Sequence, residues 1–365
     1  MNQKNLDEIL KVAQRLIEFR STKDEPGEIS GAIDYIQNYF NSPAFVVRKH
    51  NSNNKPSIVV TFKQSKSPHL FLVGNIDVIE GQDYQFHPKI KNGRLCGRGA
   101  WQMKTMVALM MVLLRDLADQ EKRPSLGLMI TSDEQLGGKD GTEYLLEKEN
   151  YSANVAFVPS SGREFNLVCT QKGALHFKIT VHGKPAHASR PWMGESAIEK
   201  MIGICRSLYN TYPNPKDPNA DGKFSLNIGR IKGGNSINKL AAKAEAYVDF
   251  RYPENLKEAD VIRNLKKLCK NCEIEFLVRV KPFYAPKDNL YLEDYQAITE
   301  KILKRKIDCI HEAESSDGRF FSDKGIPAII TRPIGQGSHT DQEWIEIESL
   351  IKFYAILREY ASDLK

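Results

Sequence analysis

Residues 70–106 constrain the fold more tightly than any other stretch of the chain. An apolar run at 70–73 ends in the polar tip Gly74-Asn75-Ile76-Asp77. A loop leads on to Gly97-Arg98-Gly99-Ala100-Trp101-Gln102-Met103-Lys104. An apolar helix follows, carrying Met106, Leu109, Met110, Leu113 and Leu114. Strand, polar tip, Gly-rich turn and helix are the parts of an open α/β sheet, whose ligand sites form outside the carboxyl ends of the strands. Asn75, Asp77 and Gln102 stand at two such ends and are the first candidates for chemistry.

The flanking sequence extends this pattern. Leu6, Ile9, Leu10, Ala13, Leu16 and Ile17 recur at helical spacing and predict a helix over 5–19. Ile29, Ala32, Ile33, Ile36 and Phe40 predict a second over 28–40. Strands are expected near 44–50, 57–63, 69–74, 125–131 and 154–158, with helices over 103–118 and 140–148. From about Gln171 the order changes to strand 173–182, helix 195–210, a Pro/Asn/Asp-rich loop 211–222, strands 223–231 and 241–251, helix 256–270 and strand 273–280. That is the split β-α-β-β-α-β order, long enough for a domain of its own. Alternation then resumes with helix 292–305, a short segment 316–324, strand 326–331 and helix 343–361. The expectation is an α/β fold in which a discontinuous domain (1–170 and 283–365) carries an inserted α+β domain (171–282).

Charge excludes some functions. The 52 basic and 46 acidic residues leave a net +6, spread along the chain without the concentrated stripe that nucleic-acid binding needs. No apolar run reaches about 18 residues, and the sequence starts on an amphipathic helix without a secretory h-region, so the expectation is a soluble, cytoplasmic protein with no membrane partner. The six cysteines lie mostly in apolar surroundings and read as buried free thiols. Cys269 and Cys272 form a lone C-x-x-C with no second pair at metal-site spacing.

Polar groups recur at successive strand ends: Asn75 and Asp77, Gln102 after its turn, Asp133-Glu134-Gln135, and Val158-Pro159-Ser160-Ser161, with His339 in a late Gly/Ser loop. With the blocks at 74–79, 92–104, 131–138, 158–162, 173–191, 233–240, 315–321 and 337–343, the chain resembles the binuclear zinc amidohydrolases that include succinyl-diaminopimelate desuccinylase, acetylornithine deacetylase, aminoacylase and the glutamate carboxypeptidases. The resemblance covers nearly the whole chain. It implies a mixed-sheet zinc-exopeptidase-like catalytic domain with an inserted lid that mediates dimerisation, hence a homodimer through 171–282.

The departures from that family carry as much information. It holds two zinc ions with a His, a bridging Asp, a Glu, a further acid and a late His. The matching positions here are Asn75, Gln102, Gln135, Val158 and His339, so only His339 keeps its ligand type. Two dications about 3.5 Å apart repel by roughly 19 kcal/mol even at an effective dielectric near 20. Neutral amides do not offset that, and zinc prefers Cys, His and carboxylate. The expected cofactor is therefore none or, failing that, a single weakly held zinc or other divalent ion.

Other family roles fall on retained residues. Glu134 matches the general base, Asp77 the acid that orients the lost His, and His187 the lid histidine that stabilises an oxyanion. Asn238, Arg251 and Arg319 match substrate-carboxylate binders, a task that suits arginine. The resemblance thus implies a small-molecule carboxylate ligand, an N-acyl amino acid or peptide-like compound, bound with little or no hydrolysis. Two alternatives stay open: an active hydrolase with a reduced metal site, and a regulatory or structural dimer partner of an active paralogue.

Overall fold

A computed structural model describes residues 3–216, 223–286 and 288–364. The expected loop 211–222 therefore lies partly outside the described residues. The chain opens with α1 (Gln3–Glu18), α2 (Pro26–Tyr39), β1 (Val46–Ser52), β2 (Lys55–Thr61), β3 (Leu70–Asn75), β4 (Lys89–Lys91), β5 (Arg94–Cys96), α3 (Lys104–Ala118), β6 (Leu126–Thr131), α4 (Tyr144–Glu147) and β7 (Val155–Val158). Then come β8 (Leu167–Gln171), β9 (Gly173–His182), α5 (Ala197–Thr211), β10 (Ser225–Gly233), β11 (Lys243–Tyr252), α6 (Glu258–Leu268), β12 (Glu273–Val280) and β13 (Phe283–Tyr284). The remainder is α7 (Leu290–Leu303), β14 (Cys309–Glu312), α8 (Gly318–Asp323), β15 (Ala328–Ile330), β16 (Gly335–Gln336), β17 (Trp344–Glu346) and α9 (Ile347–Asp363).

The chain packs as two units: 1–169 with 285–310 and 316–365, and 170–284 with 311–315. In the first, a six-stranded sheet has the order β1-β2-β6-β3-β7-β15. β6, β3, β7 and β15 run parallel, and β2 pairs antiparallel with both β6 and β1, the mixed α/β arrangement the sequence predicts. Every residue of β3 and β6 is buried, as expected of parallel strands covered on both faces. Gly127 is required there: a Cβ would lie 2.5 Å from the Phe71 ring. The second unit is an antiparallel sheet, β10-β11-β9-β12, packed on α5 and α6 around Phe177, Ile179, Phe250 and Leu265.

Several elements differ from expectation. The last helix begins at Ile347, because 344–346 pair with β5 as a strand. Over 140–148 the chain makes a π-turn (Lys139–Glu143) and then one α-turn, and Gly141 lies where a Cβ would meet Thr131 and the Asp133 carboxylate. Cys169 and Cys309 are not free thiols. They form a disulfide, with Cα atoms 5.5 Å apart, while Cys96, Cys205, Cys269 and Cys272 stay free. Of these four only Cys269 is buried. No helix among the described residues is long and apolar enough to cross a membrane.

Candidate functional site

Parallel pairing puts the carboxyl ends of β3, β6, β7 and β15 on one edge of the large sheet. Asn75 lies opposite Thr131, and Val158 opposite Ile330. Asn75, Asp77, Glu134 and Gln135 form one hydrogen-bonded chain there. The Asn75 amide nitrogen donates to the Asp77 carboxylate at 2.9 Å and to the Asp77 carbonyl at 3.1 Å. The Gln135 backbone N–H donates to the other Asp77 oxygen at 2.8 Å, and its side-chain amide donates to Glu134 at 2.6 Å. Each carboxylate is thus held by a neighbouring side-chain amide.

Gln102 belongs to a second group. Its side-chain oxygen accepts from the Ser338 hydroxyl, next to His339, which has a positive φ of 64°. The turn that carries Gln102 is gripped by Glu343. That buried carboxylate accepts from the backbone N–H groups of Gly99 (2.9 Å), Trp101 (3.0 Å) and Gln102 (2.9 Å), and Arg98 lies 3.3 Å away. Val158, fully buried in β7, offers only methyl groups.

Behind the tips lie more acids. Asp133 accepts from the Asp140 backbone N–H at 2.7 Å, and Asp317 from the Thr142 hydroxyl at 2.6 Å. Burial raises Asp77 to about 6, against the hydrogen bonds of Gln135 and Asn75, with Asp317 adding repulsion. Burial first, then the Asp317 charge, raises Asp133 to about 7. Burial also raises Asp317, and the Arg319 guanidinium opposes it. Lys104 is wholly buried, donates to the Phe19 carbonyl at 2.6 Å, and is pushed down to about 7 by desolvation against the pull of Glu343 and Asp77.

Arg319 is committed internally. It donates to the carbonyls of Ser316 (2.6 Å) and Gly137 (2.8 Å) and lies over the Phe320 ring. His187, Asn238 and Arg251 belong to the second unit. A bridge between His187 and Lys239, with Ala188 N–H donating to the Asn238 carbonyl at 2.9 Å, puts His187 and Asn238 on adjoining segments. The His187 Nδ1 accepts from the Ser189 N–H at 3.2 Å. Arg251 grips Asp249 through Nε (2.8 Å) and Nη2 (3.1 Å). Burial works to raise Asp249, but the hydrogen bonds and charges of His176 and Arg251 outweigh it and hold the carboxyl at about 2.

Two groups at this edge escape a reading by motif. Glu343 is one, because its partners are some 240 positions away in sequence. Arg332, two residues past the end of β15, is the other. Its buried guanidinium donates to the carbonyls of Gly162 (2.5 Å) and Ser160 (3.3 Å) and lies 3.4 Å from the centre of the Trp101 ring. The one signal in the sequence is a charged residue wedged between an apolar strand and Pro333.

The donor set does not fit a dinuclear zinc centre. Two amides point nitrogen at carboxylates, a third amide oxygen is taken by a hydroxyl, one position is apolar, and a guanidinium is fixed against the residue before Gln102. Among the described residues no group of three or more His, Cys, Asp or Glu side chains is placed to hold a metal ion.

Comparison with known proteins places this geometry in a family. Residues 71–363 match the model of peptidase family M20/M25/M40. A probable carboxypeptidase of Arthroderma benhamiae is 27% identical over 280 residues, covering 69% of this chain and 60% of that protein. A succinyl-diaminopimelate desuccinylase of Rickettsia felis is 23% identical over 379 residues, covering 96% and 98%. An M20 metallo-carboxypeptidase structure from Sulfolobus solfataricus superposes with a TM-score of 0.80 at 16% identity, covering 97% of this chain and 98% of that one. A Staphylococcus aureus tripeptidase structure gives 0.79 at 18% identity, covering 98% of each. The chain belongs to peptidase family M20/M25/M40.

Proposed function

We propose that this chain binds a carboxylated N-acyl amino acid or peptide-like ligand and hydrolyses it little or not at all. The observation that carries the reading is the pairing at the strand tips. Asp77 and Glu134, the acids that would serve a metal-bound water, are held by the amides of Asn75 and Gln135. A carboxylate without a metal to acidify its water is a weak hydrolytic base. Ligand capture is supported by His187 and Asn238 on adjoining segments and by Arg251, whose Nη1 is not engaged by Asp249. The reading includes a homodimer formed through the second unit, supported by the exposed apolar side chains Trp192, Ile202 and Ile237. A monomer in sedimentation at micromolar concentration would contradict that part.

The test is calorimetric titration with N-succinyl- and N-acetyl-amino acids, with amine release followed in parallel. The expected result is saturable binding, weakened by Arg251→Ala, with no zinc-stimulated turnover. Zinc-dependent amine release that Glu134→Ala abolishes would overturn it.

A further inference from the structure

The small sheet of the first unit has two unlike faces. Across β17, β5 and β4, Ile345 pairs with Leu95 and Leu95 with Ile90; Ile345 and Leu95 are fully buried, while Ile90 on the edge strand is about half exposed. Residues directly opposite in antiparallel strands share a face. The alternate rows are Trp344–Cys96–Lys89 and Glu346–Arg94–Lys91. They form the outward face, where the Arg94 guanidinium lies 3.7 Å from the centre of the Trp344 ring. Against this face stands Tyr84, leaving a pocket of about 300 Å³ lined by Tyr84, Lys89, Lys91, Cys96, Asp341 and Trp344.

We propose that this pocket is a second ligand site, separate from the strand-tip site, for an aromatic carboxylate. The exposed wall is mainly apolar, built from the rings of Tyr84 and Trp344 and the carbon stems of polar residues such as Lys89 and Lys91, and the volume suits a body of one or two rings. The charges decide the sign. Lys89 and Lys91 face it without an acid partner among the described residues, against Asp341 alone. The other ionisable neighbours are committed: His87 lies 3.4 Å from Asp83, Glu343 accepts from Arg98 and three backbone N–H groups, and Arg94 and Glu346 face each other in the next row. Trp344 and Tyr84 offer rings for stacking, and the lysines receive a carboxylate at the mouth.

The position gives such a ligand an effect. Gln85 donates to the Thr340 carbonyl at 3.0 Å, and Tyr84 to the Asp341 carbonyl at 3.3 Å. The pocket wall is thus tied to the segment that has His339 at one end and Glu343 at the other. A ligand resting there bears on the residue that grips the Gln102 turn.

Cys96, partly exposed in the pocket, is a built-in reporter. The full chain is treated with iodoacetamide and labelling is mapped by mass spectrometry, with 1-naphthoate as probe and 1-naphthylmethanol as its neutral counterpart. The expected result is saturable protection of Cys96 by 1-naphthoate, with Cys205 and Cys272 unaffected, and protection about tenfold weaker by the alcohol. Charge reversal in Lys89→Glu/Lys91→Glu raises the half-protecting concentration about tenfold. Equilibrium dialysis of 1-naphthoate gives the same constant, and the pocket-filling Cys96→Trp abolishes it. Equal protection by the alcohol, binding indifferent to the lysine reversal, or no protection and no dialysis signal would each overturn the proposal.

Discussion

Replacing Asp133 with asparagine removes one charge from the acidic group behind the strand tips and leaves its shape. One Asp133 oxygen accepts from the Asp140 N–H at 2.7 Å, a bond an amide oxygen also accepts; the other has no hydrogen-bond partner among the described residues. Folding moves this carboxyl from 3.8 to about 7. About three units at about 1.36 kcal/mol each make up to about 4 kcal/mol, and Asp77, moved from 3.8 to about 6, makes up to about 3 kcal/mol. A carboxyl raised in the folded state binds its proton more tightly there. Its contribution is present in full below about pH 4 and is lost as pH rises through about 6 to 7. Urea unfolding at pH 4.5 and 7.5 reads the effect. The natural chain should lose several kcal/mol between the two, and Asp133→Asn should lose markedly less, being the more stable protein at pH 7.5. Equal losses in the two proteins, or a natural chain more stable at pH 7.5, would show that the buried Asp133 carboxyl does not set this pH dependence.

Two further predictions concern stability. Glu343→Ala leaves three backbone N–H groups and the Arg98 guanidinium buried without their acceptor, and should cost about 3–5 kcal/mol in urea unfolding; a loss under about 1 kcal/mol would show that the turn does not depend on it. The Cys169–Cys309 bridge spans 140 residues, so Cys169→Ser should lower stability by up to about 5 kcal/mol on the chain-entropy account. The natural chain in dithiothreitol should then match the variant, and a urea midpoint unmoved by reductant would contradict the bridge.

Legibility in the sequence followed burial and distance. β3 and β6 are buried on both faces, so they read as unbroken apolar runs, and α3 read from its apolar face. β4, β5 and β17 are three residues each, with Lys, Arg and Trp facing outward. Their existence rests on pairings such as Trp344 with Cys96, which no local pattern announces. At the site, the polar residues at the strand ends were legible one by one. What those residues bond to was legible only where the partner is close in the chain, as with Asn75 and Asp77 two positions apart. Glu343 on the Gln102 turn and Arg332 against Trp101 join remote segments, and only the fold brings them together.

In the proposed reading, the amides of Asn75 and Gln135 hold Asp77 and Glu134 at the strand tips in place of a metal centre. The most direct measurement is the metal content, by inductively coupled plasma mass spectrometry, of the protein purified without chelator and then dialysed against zinc. Well under one tightly bound zinc per chain is expected, because the donors that would neutralise two dications are missing. Close to two zinc ions per chain, retained through gel filtration and accompanied by amide hydrolysis, would contradict it.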